Sequence, residues 1–514
     1  PIKNLNIKAM IGASQEQFAA ESFSASKLDL VDPDLRVIDA ATGTATASGT
    51  TYEWAMRSYF GRLQFNYTDK YLLELNLRSD GSSRFLKNRR WGYFPSFSAA
   101  WRIDQENFAK NLIEKGLSNL KLRLSYGSLG NNSVGNYEAI SVYSIANYIL
   151  NGQIVQGTTQ NAIANGRLTW EKTYVANLGL DLGVANNRLT ATIDAFNKKT
   201  VGILIALPAP LVHGFAYLPK QNSAVVVNNG IELSVGWQDK IKDFRYYINS
   251  NFSFIKNKVT KYKGDEYSII NNGLIQEGLP IGIQYLLEAD RILSSDEDLA
   301  LVQSIIDNAP IDETTGEKMN PFSEFGKPEL GDILYKDLNG DGLINSDDRR
   351  TFGQGTNPVF TYGATIGGEY KGIDFSILLQ GTSGLKIFYM DSYYTPYIAL
   401  GVGINKEIAD GRWYEGRTTP AKYPKLMEWS GSKINSQPSS FWLTDKSYLK
   451  IRNIQLGYSL PKKWMSKIDV ERLRIYSSLE NFFTFTSYPG IDPEVSNTAY
   501  PTMRQVVFGV NFTL

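Results

Sequence analysis

Residues 506–514 (VVFGVNFTL) place Val506, Phe508, Val510, Phe512 and Leu514 on one side of an extended chain. Val507, Gly509, Asn511 and Thr513 fall on the other side. Side chains of a strand alternate between two faces, so the segment has one greasy face and one small, polar face. The same two-phase pattern returns along the whole chain. Tyr71, Leu73, Leu75 and Leu77 alternate with Leu72, Glu74, Asn76 and Arg78, and Leu120, Leu122, Leu124 and Tyr126 with Lys121, Arg123, Ser125 and Gly127. Tyr174–Leu182 and Ile231–Trp237 repeat it, and weaker versions bring the expected total to roughly fourteen strands.

A sandwich or propeller also alternates, so the connections matter. Tight turns at 69–70 and 185–188 separate strong strands, whereas 14–54, 259–357 and 386–447 read as long connections. Short turns on one side and long loops on the other are the habit of outer-membrane barrels. Tyr67, Tyr71, Trp101, Tyr126 and Tyr458 fall near the ends of greasy faces, as in interfacial aromatic girdles. The expected fold is therefore all-β, an antiparallel transmembrane β-barrel with long extracellular loops.

Composition fits this and narrows the function. No stretch reaches the ~20 apolar residues of a spanning helix, yet strands need only every second residue apolar, which reconciles a membrane wall with a mean hydropathy of -0.26. Lysine and arginine number 53 against 52 aspartate and glutamate, a balance that gives no pull toward nucleic acid. Without cysteine there is no thiolate nucleophile or thiolate metal site, and the single His213, in a Pro/Gly-rich stretch, reads as an exposed loop residue. No catalytic constellation stands out, so an enzyme is not expected.

Two features mark the long connections. Ser295 and Asp298 form a capping box for a short amphipathic helix over 295–308, with Leu299, Val302, Ile305 and Ile306 on one face. Downstream, 337–348 (DLNGDGLINSDD) has hard oxygens at loop positions 1, 3 and 5, glycine at 6 and a carboxylate at 12. That is the spacing of a calcium loop, with Asp337, Asn339, Asp341 and Asp348 as side-chain ligands and Leu343 lending its carbonyl. The alternative is a turn rich in Asp, Asn and Gly for its backbone geometry alone. Residues 40–51 (AATGTATASGTT) read as low-complexity and flexible.

Several blocks, in order, resemble the SusC-like (SusC/RagA) TonB-dependent outer-membrane transporters of Bacteroidetes. They are 71–85 (YLLELNLRSDGSSRF), 92–101 (GYFPSFSAAW), 331–348 (GDILYKDLNGDGLINSDD), 357–363 (NPVFTYG), 445–461 (DKSYLKIRNIQLGYSLP) and 478–495 (SLENFFTFTSYPGIDPEV). The resemblance implies a barrel of the roughly 22-stranded, plugged kind, so residues 1–514 are expected to be its C-terminal part. Plug, first strands and TonB-contacting segment would then lie outside this chain. It further implies active import of oligosaccharides or oligopeptides, powered through TonB with ExbB/ExbD, and a SusD-like lipoprotein capping the barrel. The insertions 259–357 and 386–447 are the candidates for partner and substrate contacts. No individual substrate residue carries over, because such residues vary with cargo. A passive porin and a secreted soluble β protein are the other readings left open by the residues alone.

Overall fold

The computed structural model describes residues 4–160, 164–206, 219–264, 267–270, 272–390, 397–398, 403–428, 433–465, 470–495 and 500–513. His213 and Leu514 lie outside the described residues. One antiparallel sheet of fourteen strands dominates. Its strands are β1 (Leu5–Lys27), β2 (Ala45–Tyr67), β3 (Tyr71–Ser82), β4 (Trp91–Arg102), β5 (Leu117–Asn131), β6 (Glu171–Val184) and β7 (Leu189–Ala206). They continue with β8 (Lys220–Ile241), β9 (Phe244–Tyr262), β10 (Phe360–Tyr370), β11 (Ile373–Ser383), β12 (Tyr448–Ser459), β13 (Arg472–Thr486) and β14 (Gln505–Thr513). Every neighbour in the sheet is a neighbour in sequence, a pure up-and-down meander. Among the described residues, β1 and β14 each have one wall partner and one free edge.

Register fixes the faces, because residues directly opposite share a face. Phe65, Leu73 and Ala99 align across β2–β4, and Leu180, Ile193, Leu233, Phe252 and Tyr362 align across β6–β10. Side chains of this outward face stand exposed: Leu75, Leu124, Leu178, Ile231 and Leu456 all do, and Phe508 is 80% exposed. A water-facing surface would not carry so continuous an apolar band. The opposite face is charged and internally bonded. Glu74 accepts from Gln64 Nε2 at 2.5 Å and Asn76 Nδ2 at 2.9 Å, and Arg78 donates to Asp80 at 2.8 Å. Leu75→Arg, facing lipid, should cost ~2–4 kcal/mol if near the midplane, whereas Glu74→Gln on the polar face should be mild. Heat-modified mobility of the assembled barrel reads both.

Turns on one side are minimal, as between β8 and β9 or β10 and β11. The β10–β11 turn needs Lys371 and Gly372 at φ 49° and 89°. A Cβ on Gly372 would come within 2.8 Å of the Ser459 carbonyl, so only glycine fits. Aromatic residues gather at this end. Tyr67 stacks on Tyr71 at 6.4 Å, and Glu106 accepts from Tyr71 Oη at 2.6 Å and Trp101 Nε1 at 3.2 Å. Tyr126 sits higher, stacked on Tyr174 at 6.5 Å.

Three expectations need correction. The connection read as 14–54 is mostly strand: β1 and β2 pair from Leu5↔Tyr67 to Lys27↔Ala45, which leaves only 28–44 as the loop. The stretch 40–51 is therefore not a flexible tract, since 45–51 belong to β2. The far half of this hairpin rises beyond the ~9–11 residues needed to cross lipid. With water on both faces, no hydropathy alternation is required there. Likewise β9 runs to Tyr262, past the expected start of the insertion at 259.

Candidate functional site: a charged lumen beneath a two-loop cap

The insertions after β9 and β11 are long because each folds. The first contains a four-stranded sheet (Tyr267–Ile270, Gly273–Gln276, Ile283–Leu287, Arg349–Phe352), a strand pair (Ala289–Ile292 with Ile333–Tyr335) and a helix, Asp296–Asp307. The capping box forms as expected: Ser295 Oγ accepts from Asp298 N–H, and Asp298 accepts from Ser295 N–H at 3.1 Å. Val302 is fully buried, with Ile305 and Ile306 packed beside it.

That core does not belong to the first insertion alone. Leu287, Leu293, Phe322, Phe325, Ile333 and Tyr335 close around Ile434 and Trp442 from the second. Polar groups lock the two together. Buried Asn435 accepts from Ile333 N–H at 2.8 Å and donates to Asp332 at 2.7 Å, and Tyr335 Oη donates to the Ile434 carbonyl at 2.6 Å. Burial pushes the Tyr335 phenol well up from its ordinary value, so it stays a donor. Lys425 Nζ lies 3.1 Å from Glu329 and 3.2 Å from Asp332. The two loops, expected separately, thus form one folded cap at the long-loop end of the wall.

The proposed calcium residues lie in this cap. Asp337 accepts from Gly340 N–H at 2.7 Å and Gly342 N–H at 2.9 Å, Asn339 from Asp341 N–H at 2.9 Å, and Asp341 from Leu343 N–H at 2.8 Å. Asp348, fully buried, returns to accept from Leu338 N–H at 2.8 Å and Asn345 N–H at 3.0 Å. Gly342 at loop position 6 has φ +78°, as the tight turn demands. The Asp337 oxygens each accept one N–H and keep a second lone pair, whereas Asp348 Oδ1 accepts from both Leu338 and Asn339 N–H. Among the described residues, however, no three His, Asp or Glu side chains gather at metal-binding distance.

Below the cap, the inner face carries ion pairs across several strands. Arg123 reaches Asp181 at 2.9 Å and Asp194 at 3.0 Å, Asn177 donates to Asp194 at 2.8 Å, and Arg474 donates to Asp374 at 2.8 Å. A lumenal cavity of about 950 Å³ spreads around Arg245, Glu369, Asp374 and Arg474. Lumenal charges are what a water-filled conduit tolerates and lipid does not.

A cluster missed in the sequence ties the last outer loop into the lumen. Lys450, 2% exposed on the inner face of β12, donates to Asp492 at 2.6 Å and Glu494 at 2.7 Å. Arg452 also pairs with Glu494, and Tyr448 Oη donates to it at 2.6 Å. Burial alone would push the Asp492 carboxyl up, but Lys450 and the N–H groups of Glu494 and Thr502 hold it at about 2. An unfolded Asp titrates near ~3.9, so this anchoring is complete above pH ~4 and is lost as pH falls toward 2. It amounts to on the order of 2 kcal/mol. Hydrogen-exchange protection of 488–495 should fall across that window and stay flat from pH 5 to 8. The Asp-Pro-Glu triplet at 492–494 was the available signal, but nothing in its local pattern names Lys450 as the partner.

A half-closed β-wall with grease outside, charge inside and a folded cap at one mouth defines a transmembrane barrel protein. The model for the family described as TonB dependent receptor-like, beta-barrel matches residues 4–280. The chain is 31% identical to the TonB-dependent receptor P39 of Formosa agariphila, over 91% of this chain and 47% of that protein. It is 28% identical to the TonB-dependent receptor SusC of Bacteroides thetaiotaomicron, over 98% of this chain and 48% of that one. The solved RagAB peptide transporter superposes with a TM-score of 0.81 at 23% identity, covering 100% of this chain and 54% of that chain. The chain belongs to the TonB-dependent receptor β-barrel family, and its place is the outer membrane of a Gram-negative bacterium. It spans about half the length of the curated relatives it matches, which are receptors rather than enzymes.

Proposed function

We propose that this chain is the C-terminal, fourteen-strand part of an outer-membrane importer that works with TonB and ExbB/ExbD. In this reading it takes up oligosaccharides or oligopeptides and is closed from outside by a SusD-like lipoprotein. The remaining wall strands and a plug complete the barrel along the free edges of β1 and β14, which lipid does not tolerate unpaired. The observation that carries this reading is the cap. Two insertions share one core at the long-loop mouth, a rigid platform where a partner and an oligomeric cargo can meet. A simple porin needs no such structure. Cells expressing the complete transporter are tested for uptake of candidate glycans and peptides, with and without a protonophore. Uptake that stops when the proton gradient collapses is expected. Uptake indifferent to it would make the protein a passive porin.

We also propose that the 337–348 loop takes calcium through Asp337, Asn339, Asp341, Asp348 and the Leu343 carbonyl. Its turn already closes on backbone N–H groups, so the ion adds stability rather than creating the fold. Titration of the complete transporter should show about one calcium bound per copy at this loop, lost in Asp341→Ala. A calcium signal unchanged by that substitution would refute the ligand set.

A further inference from the structure

The outward face of β6–β9 changes character at its outer end. Its lower rows are apolar: Leu180, Ile193, Leu233 and Phe252 align, and above them Leu178, Ala195, Ile231 and Phe254. The next row, Ala176, Asn197, Asn229 and Lys256, turns polar, with Asn197 donating to Asn229 at 2.6 Å. Above it the outward positions become cationic. Tyr174, Lys199, Val227 and Lys258 form one row, and Lys172, Val201, Val225 and Lys261 the next. Lys172, Lys199, Lys261 and Lys263 line a single cavity of about 790 Å³ with Tyr174 at its edge and Val201, Val225 and Val227 as its floor.

Three observations point to a ligand there. First, none of the four lysines pairs with a carboxylate among the described residues, unlike Arg123, Lys450 and Arg474 on the inner face. The neighbouring acids are turned elsewhere: Glu171 accepts from Leu204 N–H, and Glu277 from Tyr262 N–H. Second, Ser223 lines the same cavity, is 2% exposed, and its hydroxyl has no hydrogen-bond partner. Third, the height is right. Trp237, whose indole donates to Tyr246 Oη at 3.2 Å, marks the short-turn girdle on the same face of β8. From Trp237 to Val227 is about 33 Å along the strand, or about 25 Å across the bilayer at a ~40° tilt, the full apolar band of such a wall. The lysines therefore sit at the level of the outer head groups, facing lipid rather than lumen.

We propose that this pocket binds the phosphorylated head group of an outer-leaflet glycolipid. The lysine ammoniums neutralise phosphate, Ser223 Oγ donates to an oxygen, and Tyr174 with the valine floor packs against sugar and the first methylenes. Lysine presents a hydrated point charge on a flexible stem, suited to a phosphate arriving from several directions, and each adds to the pull of an anionic surface. The site rests on the membrane-wall reading and is independent of what the barrel imports.

The test uses the complete transporter extracted from outer membranes in mild detergent, with retained lipid weighed by native mass spectrometry. About one phosphorylated glycolipid per copy is expected, with retention falling as salt rises. The Lys172→Gln, Lys199→Gln, Lys261→Gln, Lys263→Gln variant should lose about tenfold or more in retention. Should that variant not assemble, Lys199→Gln with Lys261→Gln, both on exposed side chains, should show a partial loss. Lys242→Gln with Lys371→Gln, at the short-turn end, should show none. Delipidated protein is then offered lipopolysaccharide, the same glycolipid stripped of phosphate, and inorganic phosphate; only the first should be retained and raise the melting temperature. Equal retention by the lysine variants, equal binding of the dephosphorylated glycolipid, or an equal response to inorganic phosphate would overturn the proposal. So would loss of a co-purifying protein or a second copy with glycolipid retention unchanged, because the face would then dock protein. Wild-type protein soluble without detergent would sink the wall reading itself, and the site with it.

Discussion

Trp442→Ala should unfold the cap while leaving the wall standing. Trp442 is 4% exposed in the core shared by both insertions, and its indole donates to the Asn435 carbonyl at 3.0 Å. Removing a buried tryptophan costs about 3–5 kcal/mol through lost burial and the cavity left behind. Asn435 would also lose the ring that holds it against Asp332 and Ile333, so both insertions should loosen together. Limited proteolysis of the variant should cut within 263–359 and 384–447 at much higher rates, with heat-modified barrel mobility unchanged. Trp442→Phe keeps most of the volume and should cost only about 1 kcal/mol for the hydrogen bond. If cleavage appears in one insertion only, the shared core is not what joins them.

Lys450→Ala is the second large effect. The ammonium is nearly fully buried and is contacted by both Asp492 and Glu494. Taking it away leaves two carboxylates facing each other with Arg452 alone, a loss of about 3–5 kcal/mol. The 487–504 loop should leave the lumenal face of β12, read as increased exchange and labelling at 488–495. Lys450→Met, with Asp492→Asn and Glu494→Gln alongside, should recover much of the loss, because the cost lies in uncompensated charge rather than in the missing pair. A lone Lys450→Ala with no change in the loop would show that Arg452 suffices.

These effects mark the boundary of what the residues disclose by themselves. Where a strand separates lipid from water, each side chain answers to one medium. Leu73, Leu75 and Leu77 therefore declare their face, and the strand count follows. Above the membrane that rule lapses. The outer half of the β1–β2 hairpin, with Thr, Ser and Ala on both faces, looked like a loop although its register runs unbroken to Lys27↔Ala45. The helix at 296–307 was legible because a capping box and an apolar stripe are local. The joining of the two insertions was not, since Asn435 meets Ile333 about a hundred positions away. The calcium-type loop shows the same limit from the other side. Its spacing was plain, and its backbone turn forms as spaced, but whether its oxygens converge on an ion is a matter of side-chain aim. The outward lysines likewise carry no pattern until register lines up four strands.

The account depends on the outward and inward faces alternating along each wall strand, and residues 1–514 hold no cysteine, so a label introduced here meets no native thiol in this part of the wall. Single cysteines at positions 73 to 78 of β3, in the complete transporter in lipid, are spin-labelled and read by collision with oxygen and with a water-soluble nickel chelate. Positions 73, 75 and 77 should favour oxygen and positions 74, 76 and 78 the chelate, in strict alternation. Uniform accessibility to the chelate at all six positions would contradict the membrane wall and everything built upon it.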